Sequence, residues 1–146
     1  MADEGPADLF EAAAAIRDRA YAPYSGYRVG AALRSASGRI YAGVNVENAA
    51  YPVGTCAEAG AISAMVGGGD RTLTEIAVVA EGGALVTPCG GCRQRIFEFG
   101  GPKAVIWAAD LRGQRRRYTA DELLPLAFGP ASMEAIDAVA PEKTAP

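Results

Sequence analysis

The chain has 146 residues, half of them apolar, and a formal net charge of −3. That length supports one domain with a core of its own, and the nearly balanced charge argues against a nucleic-acid binder or a membrane-surface protein. No apolar run approaches the ~20 residues that span a bilayer, and the acidic start Met1-Ala2-Asp3-Glu4-Gly5-Pro6 lacks the basic and apolar regions of a secretory signal.

Asp8 is the expected N-cap of a first helix running to about Ala20, because Leu9, Ala12, Ala13, Ile16 and Ala20 recur at helical spacing. Pro23 and Gly26 end it in a turn. Residues 27–34 alternate, with Val29, Ala31 and Leu33 on one face, and 39–46 return as the second strand of a hairpin. An Ala-rich helix is expected over 56–66, stopped by Gly67-Gly68-Gly69, followed by a buried and central strand over 75–80. Pro88 precedes another helix over about 89–99, then a buried strand over 104–108 and an edge strand over 114–118. Thr119-Ala120-Asp121-Glu122 has the spacing of a capping box and opens a short helix before Pro125. Strands alternating with helices predict a three-layer α/β/α sandwich around a mixed, mostly five-stranded sheet. The expected organisation is a single domain over 1–146, with about 131–146 a partly disordered extension, frayed from about Ala140.

Chemistry concentrates in two segments. All three cysteines fall in Thr55-Cys56-Ala57-Glu58 and Thr87-Pro88-Cys89-Gly90-Gly91-Cys92-Arg93, and the chain contains no histidine. Cys-x-x-Cys with a third thiol upstream is a metal-ligand spacing. Three protein ligands on zinc leave a fourth position for water, which is the arrangement of a catalytic rather than a structural site. Glu58, two residues beyond the first ligand, can serve that position without being a ligand. A first ligand, x, Glu, followed later by Pro-Cys-x-x-Cys, is the signature of zinc nucleobase deaminases. A structural zinc knot lacks its fourth ligand here, and a redox pair at Cys89 and Cys92 leaves Cys56 and Glu58 unexplained. Both cysteine segments open helices, whose N-termini favour thiolates. Cys56 and Glu58 can share a cavity only across the first turn of their helix, since residues i and i+2 do not face one another along its side. Thiols with metal-ligand spacing and no export signal point to a reducing cytoplasm.

From the first helix to Phe128-Gly129-Pro130 the chain closely resembles the small zinc-dependent cytidine deaminases that form homotetramers. The residues that carry the likeness are Tyr24-Ser25-x-Tyr27-x-Val29-Gly30-Ala31-Ala32-Leu33, Asn45-Val46-Glu47-Asn48-Ala49, Cys56-Ala57-Glu58, Pro88-Cys89-Gly90-x-Cys92-Arg93-Gln94 and Glu122-Leu123-Leu124-Pro125. The resemblance implies Cys56, Cys89 and Cys92 as ligands of Zn2+ and Glu58 as the proton-transferring catalyst. It implies that Asn45 and Glu47 hold the ribose hydroxyls, that Tyr27 packs near the base, and that backbone groups around Ala57 and Thr87 bind the base edge. Phe128 resembles the aromatic that a neighbouring subunit places over a substrate. The expected activity is hydrolytic deamination of cytidine and 2'-deoxycytidine in pyrimidine salvage, with a small-molecule nucleoside as the only partner besides further copies of the chain.

Three other readings compete. A deaminase of an aminoglycosyl-nucleoside antibiotic shares the metal motif, but Asn45-x-Glu47 argues against it. A nucleic-acid-editing deaminase would draw on Arg112, Arg115, Arg116 and Arg117, a run that reads more simply as a solvated edge strand. A non-catalytic zinc module is the third. The chief departure from the family is Ala59, where members commonly have an Arg that bonds ligand thiolates. Arg93, the nearest cation after the third ligand, is therefore expected to donate to a ligand sulfur in its place.

Overall fold

The computed structural model of the chain describes residues 4–137. Helix α1 (Ala7–Arg17) is followed by strands β1 (Val29–Ser35) and β2 (Ile40–Val44), a 3-10 turn (Tyr51–Val53), helix α2 (Ala57–Gly67) and strand β3 (Leu73–Ala80). Then come α3 (Gly90–Gly100), β4 (Val105–Ala109), β5 (Arg115–Thr119), α4 (Ala120–Leu123) and α5 (Pro130–Asp137). The five strands form one mixed sheet in the order β2-β1-β3-β4-β5, with β3 and β4 parallel and the other pairs antiparallel.

β1, β3 and β4 divide their apolar residues between two faces, as a period of two requires. Ala31, Leu33, Ile76, Val78 and Ile106 pack with Ala57, Ala61, Ile62 and Met65 of α2 and Ile96 of α3. Ala32, Ala77, Val79 and Trp107 pack on Leu9, Phe10 and Ala13 of α1. The sheet is thus covered on both faces, and β3, its middle strand, is apolar throughout its second half, as a strand buried on both sides must be. This is the expected α/β/α sandwich.

Close backbone approaches fix the helices on the sheet. A Cβ on Gly43 of β2 would lie 2.3 Å from Ala61 N and 2.5 Å from Ala57 O, so α2 lies directly against the strand at its first two turns. A Cβ on Gly30 would likewise meet Ala13 O of α1 at 2.0 Å. Arg34 clips α1 to the sheet through Asp8 at 2.8 Å and Glu75 at 3.0 Å.

Several boundaries differ from expectation for identifiable reasons. Pro6 caps α1, while Asp8 sits in its first turn and spends its carboxylate on Leu9 N and Arg34. α1 stops at Arg17 because Arg19 N and Ala20 N turn back to Ile16 O and Arg17 O in tighter bonds. β1 begins at Val29 rather than Tyr27, whose N–H donates to Ser25 Oγ and whose carbonyl accepts from Asn45 Nδ2. The capping box at Thr119 and Glu122 forms as expected. Residues 131–137, expected to belong to a partly disordered extension, lie within α5; residues 138–146, including the expected fraying from Ala140, lie outside the described residues. The arginine run forms edge strand β5, with Arg115 stacked 4.0 Å over the Phe10 ring. Among the described residues no helix is long and apolar enough to cross a membrane.

Candidate active site

Cys56 is the N-cap of α2 and Cys89 the N-cap of α3, both in extended backbone conformation, with Cys92 in the first turn of α3. The two helix starts converge at the same end of the sheet and bring the three Sγ atoms within 4.8 Å of one another. Cys56 Sγ and Cys89 Sγ are 3.9 Å apart and all three thiols are free. Tetrahedral zinc with bonds of about 2.3 Å sets its sulfurs about 3.8 Å apart, so the cluster fits such an ion.

The electrostatics agree. Burial pushes the Cys92 thiol far above its ordinary value, reinforced by the nearby Glu58, Cys56 and Cys89. Burial also pushes Cys56 up. At Cys89 burial acts in the same sense, but the Cys92 backbone N–H and the neighbouring thiols outweigh it and hold the thiol below its ordinary value. Three sulfurs packed this closely cannot all ionise without a cation among them, which is the condition a divalent ion meets.

Glu58, the second residue of α2, is only 4 % exposed. Burial pushes its carboxyl up, against the opposing pull of its own backbone N–H, the Cys92 thiol and Arg95. Both Cys56 and Glu58 line one cleft of about 650 Å³, so the short helix-start spacing does deliver them to a common cavity. That volume suits a small organic ligand.

Tyr27, Asn45, Glu47, Ala57 and Thr87 line the same cleft, each of them singled out from the sequence. Asn45 and Glu47 also hold the cleft wall together. Asn45 accepts from Val29 N at 2.9 Å and donates to Tyr27 O at 2.8 Å. Glu47 accepts from Tyr24 N and Ser25 N through one oxygen and from Ser25 Oγ, at 2.5 Å, through the other. The Ser25 hydroxyl, foremost among these donors, holds the Glu47 carboxyl below the usual carboxylate range. An amide donates twice and a carboxylate accepts about four times, so each side chain keeps hydrogen-bonding capacity for a ligand. Ser25, Tyr24 and Tyr51 also line the cleft but were not singled out as site residues. Ser25 lies inside the Tyr24–Leu33 motif, which was the available signal.

Two expected residues stand elsewhere. Phe128 is 61 % exposed outside its own cleft, with its carbonyl accepting from Gln94 Nε2 at 2.7 Å. Arg93 makes no contact with a ligand sulfur and corrects the expectation placed on it. Its guanidinium donates to Pro88 O at 2.8 Å, Leu123 O at 2.9 Å and Thr87 Oγ1 at 2.8 Å. It therefore braces the loop before Cys89 against the end of α4, where three oxygens occupy its fork. The arginine that reaches a sulfur is Arg95, with Nη1 3.9 Å from Cys92 Sγ.

A mixed five-stranded sheet with three thiols and a buried carboxylate at two helix starts defines the class, that of zinc-dependent deaminases. The zinc-binding region of cytidine and deoxycytidylate deaminases matches residues 4–109, and the chain belongs to that family. Cytidine deaminase of Sporosarcina psychrophila is 44 % identical over 112 residues, covering 77 % of this chain and 82 % of that one. Cytidine deaminase of Halalkalibacterium halodurans is 40 % identical over 120 residues, covering 82 % and 91 %. The crystal structure of cytidine deaminase from Burkholderia pseudomallei superimposes with a TM-score of 0.80 at 43 % identity, covering 83 % of this chain and 97 % of that one. The chain is an enzyme of this family, its cofactor is zinc, and Cys56, Cys89 and Cys92 are the residues positioned to hold the ion.

Proposed function

We propose that the enzyme hydrolyses cytidine and 2'-deoxycytidine to uridine and 2'-deoxyuridine with release of ammonia, as a homotetramer in the cytoplasm, serving pyrimidine salvage. The observation that carries this reading is the single cleft lined by Cys56, Cys89 and Glu58 together with Asn45 and Glu47. It is supported by the relatives named cytidine deaminases at 40–44 % identity. The pairing of a sugar-binding amide and carboxylate with the metal centre also favours a nucleoside over an aminoglycosyl-nucleoside antibiotic. A non-catalytic zinc module has no use for a buried glutamate beside the ion.

Zinc, when bound, supplies Lewis acidity that makes water a nucleophile at neutral pH. Glu58 provides the proton path. Its carboxylate takes a proton from the attacking water as oxygen bonds to C4 of the cytosine ring, and passes it to N3. It then takes the second proton from the new C4 hydroxyl and delivers it to the amino group, so that ammonia leaves as the C4–N bond breaks and the C4=O bond forms. A carboxyl raised by burial exchanges protons more readily near neutral pH than an ordinary one. Ala57 and Thr87 offer backbone groups to the base, Tyr27 a flat surface, and Asn45 and Glu47 the hydrogen bonds that fix the sugar.

Glu58→Gln tests the catalytic assignment. The amide keeps the shape of the carboxyl but cannot shuttle a proton, so zinc content should stay at wild-type level. Turnover of cytidine, followed by ammonia release, should fall at least ~10² to 10⁴-fold. Retained turnover would remove Glu58 from the mechanism.

A further inference from the structure

We propose that Arg95 is a positioning residue of the zinc centre, its guanidinium donating to Cys92 Sγ and balancing the negative charge of the thiolate cluster. The proposal rests on zinc as the ion held by the three cysteines and is independent of which substrate the enzyme takes.

Charge is the starting point. Three thiolates around one divalent ion leave a net negative charge of one, and the buried Glu58 carboxylate lies close by. The N-termini of α2 and α3 offset part of it, each equivalent to about half a positive charge. Several other cations are committed elsewhere: Arg34 to Asp8 and Glu75, Arg93 to three oxygens, Arg112 to Asp110, Arg115 to the Phe10 ring. Among the described residues Arg95 alone has a contact with the cluster, Nη1 to Cys92 Sγ at 3.9 Å. Its positive charge is also felt at Glu58.

The local geometry makes this contact a property of α3. Positions three apart share a helix face, so Arg95 lies one turn beyond Cys92 and its side chain runs back toward the helix start. The route passes over Gly91, where a Cβ would stand only 3.2 Å from Arg95 Nη1. Arg95 is itself exposed while Cys92 is fully buried, so the arginine covers the sulfur from the solvent side. An N–H donated to a ligating sulfur fixes its orientation and lowers the charge it presents to the metal, the usual function of groups one shell beyond the ligands. A lysine would supply the charge without the planar fork.

The test compares zinc-loaded wild type with Arg95→Ala, Arg95→Lys and, as a charge-matched control, Arg116→Ala on exposed edge strand β5. Zinc transfer to a colorimetric chelator is timed under folding conditions, and the sulfur-to-metal charge-transfer band is recorded for the cobalt-substituted proteins. Arg95→Ala should lose zinc about 10- to 100-fold faster and shift the band to longer wavelength, since a sulfur without its donor gives up electron density more easily. Arg95→Lys should fall between, and Arg116→Ala should match wild type in both. Equal release and an unmoved band in Arg95→Ala would overturn the proposal. Faster release with an unmoved band would also overturn it, by reducing Arg95 to a packing role. A wild-type protein without stoichiometric zinc would fail the zinc assignment itself.

Discussion

Glu47 serves two purposes with one carboxylate: it ties the Tyr24–Tyr27 turn to the segment that follows β2, and it lines the cleft. Ser25 is the residue that makes this possible, because its hydroxyl both donates to Glu47 and accepts from Tyr27 N. The Glu47 carboxyl is held below its unfolded value, so its contribution to stability is present above that unfolded value. It is lost only as the pH falls through the lower folded value. Ser25→Ala removes the foremost cause of the lowering, and the loss should then begin at higher pH. A carboxyl NMR titration of Glu47 checks this, with an unchanged midpoint counting against the contact. The same variant should raise KM for cytidine several-fold with little change in kcat, since the proposed grip of Glu47 on the sugar would act alike in ground and transition states. Residue roles were legible in the sequence where the side-chain type dictates the chemistry, as with three cysteines, no histidine and a glutamate two residues after the first cysteine. They were not legible where direction decides. Arg93 is next to a ligand in sequence, yet its guanidinium reaches the end of α4 and finds the Pro88 and Leu123 carbonyls and the Thr87 hydroxyl. Arg95 is a turn away, and the helix period returns it to the sulfur.

At the scale of elements, the site depends on where α2 begins, and Gly43 sets that. The strand and helix backbones approach so closely there that no side chain fits between them. Gly43→Ala should force α2 outward, costing about 1–3 kcal/mol as overpacking does, and should displace Cys56 and Glu58 together. Denaturant unfolding of the zinc-loaded protein measures the first effect and zinc content the second; wild-type values for both would mean that α2 is positioned from its other end. The elements themselves could be read from periodicity and from glycine and proline stops, because β1, β3 and β4 bury alternate residues against different helices. Their ends could not. The start of β1 moved to Val29 because the amide of Asn45 captures the backbone of Tyr27, a contact between positions that only the fold brings together. The helix over Pro130–Asp137 is not legible in the sequence because it opens on the proline of a Gly-Pro pair and carries only a short apolar pattern.

At the scale of the molecule, the two cores on either face of the sheet follow from the binary pattern, and the family likeness follows from the motifs threaded along it. What a single chain does not account for is the apolar surface at its C-terminal side. Leu126 is fully exposed with a positive φ of 53°, Phe128 is 61 % exposed and Met133 half-exposed. Apolar residues held out in this way suit contact with further copies of the chain, and light scattering should give the mass of a tetramer; an active monomer would refute a site completed by a neighbour's Phe128. The central claim, that this enzyme is a nucleoside deaminase whose metal centre and sugar-binding pair act in one cleft, is tested most directly by comparing kcat/KM for cytidine, 2'-deoxycytidine, CMP and free cytosine. Free cytosine leaves Asn45 and Glu47 without their partners, and the phosphate of CMP would approach the Glu47 carboxylate. Both should therefore react far more slowly than the two nucleosides. Values for CMP or cytosine equal to those for cytidine would contradict the account.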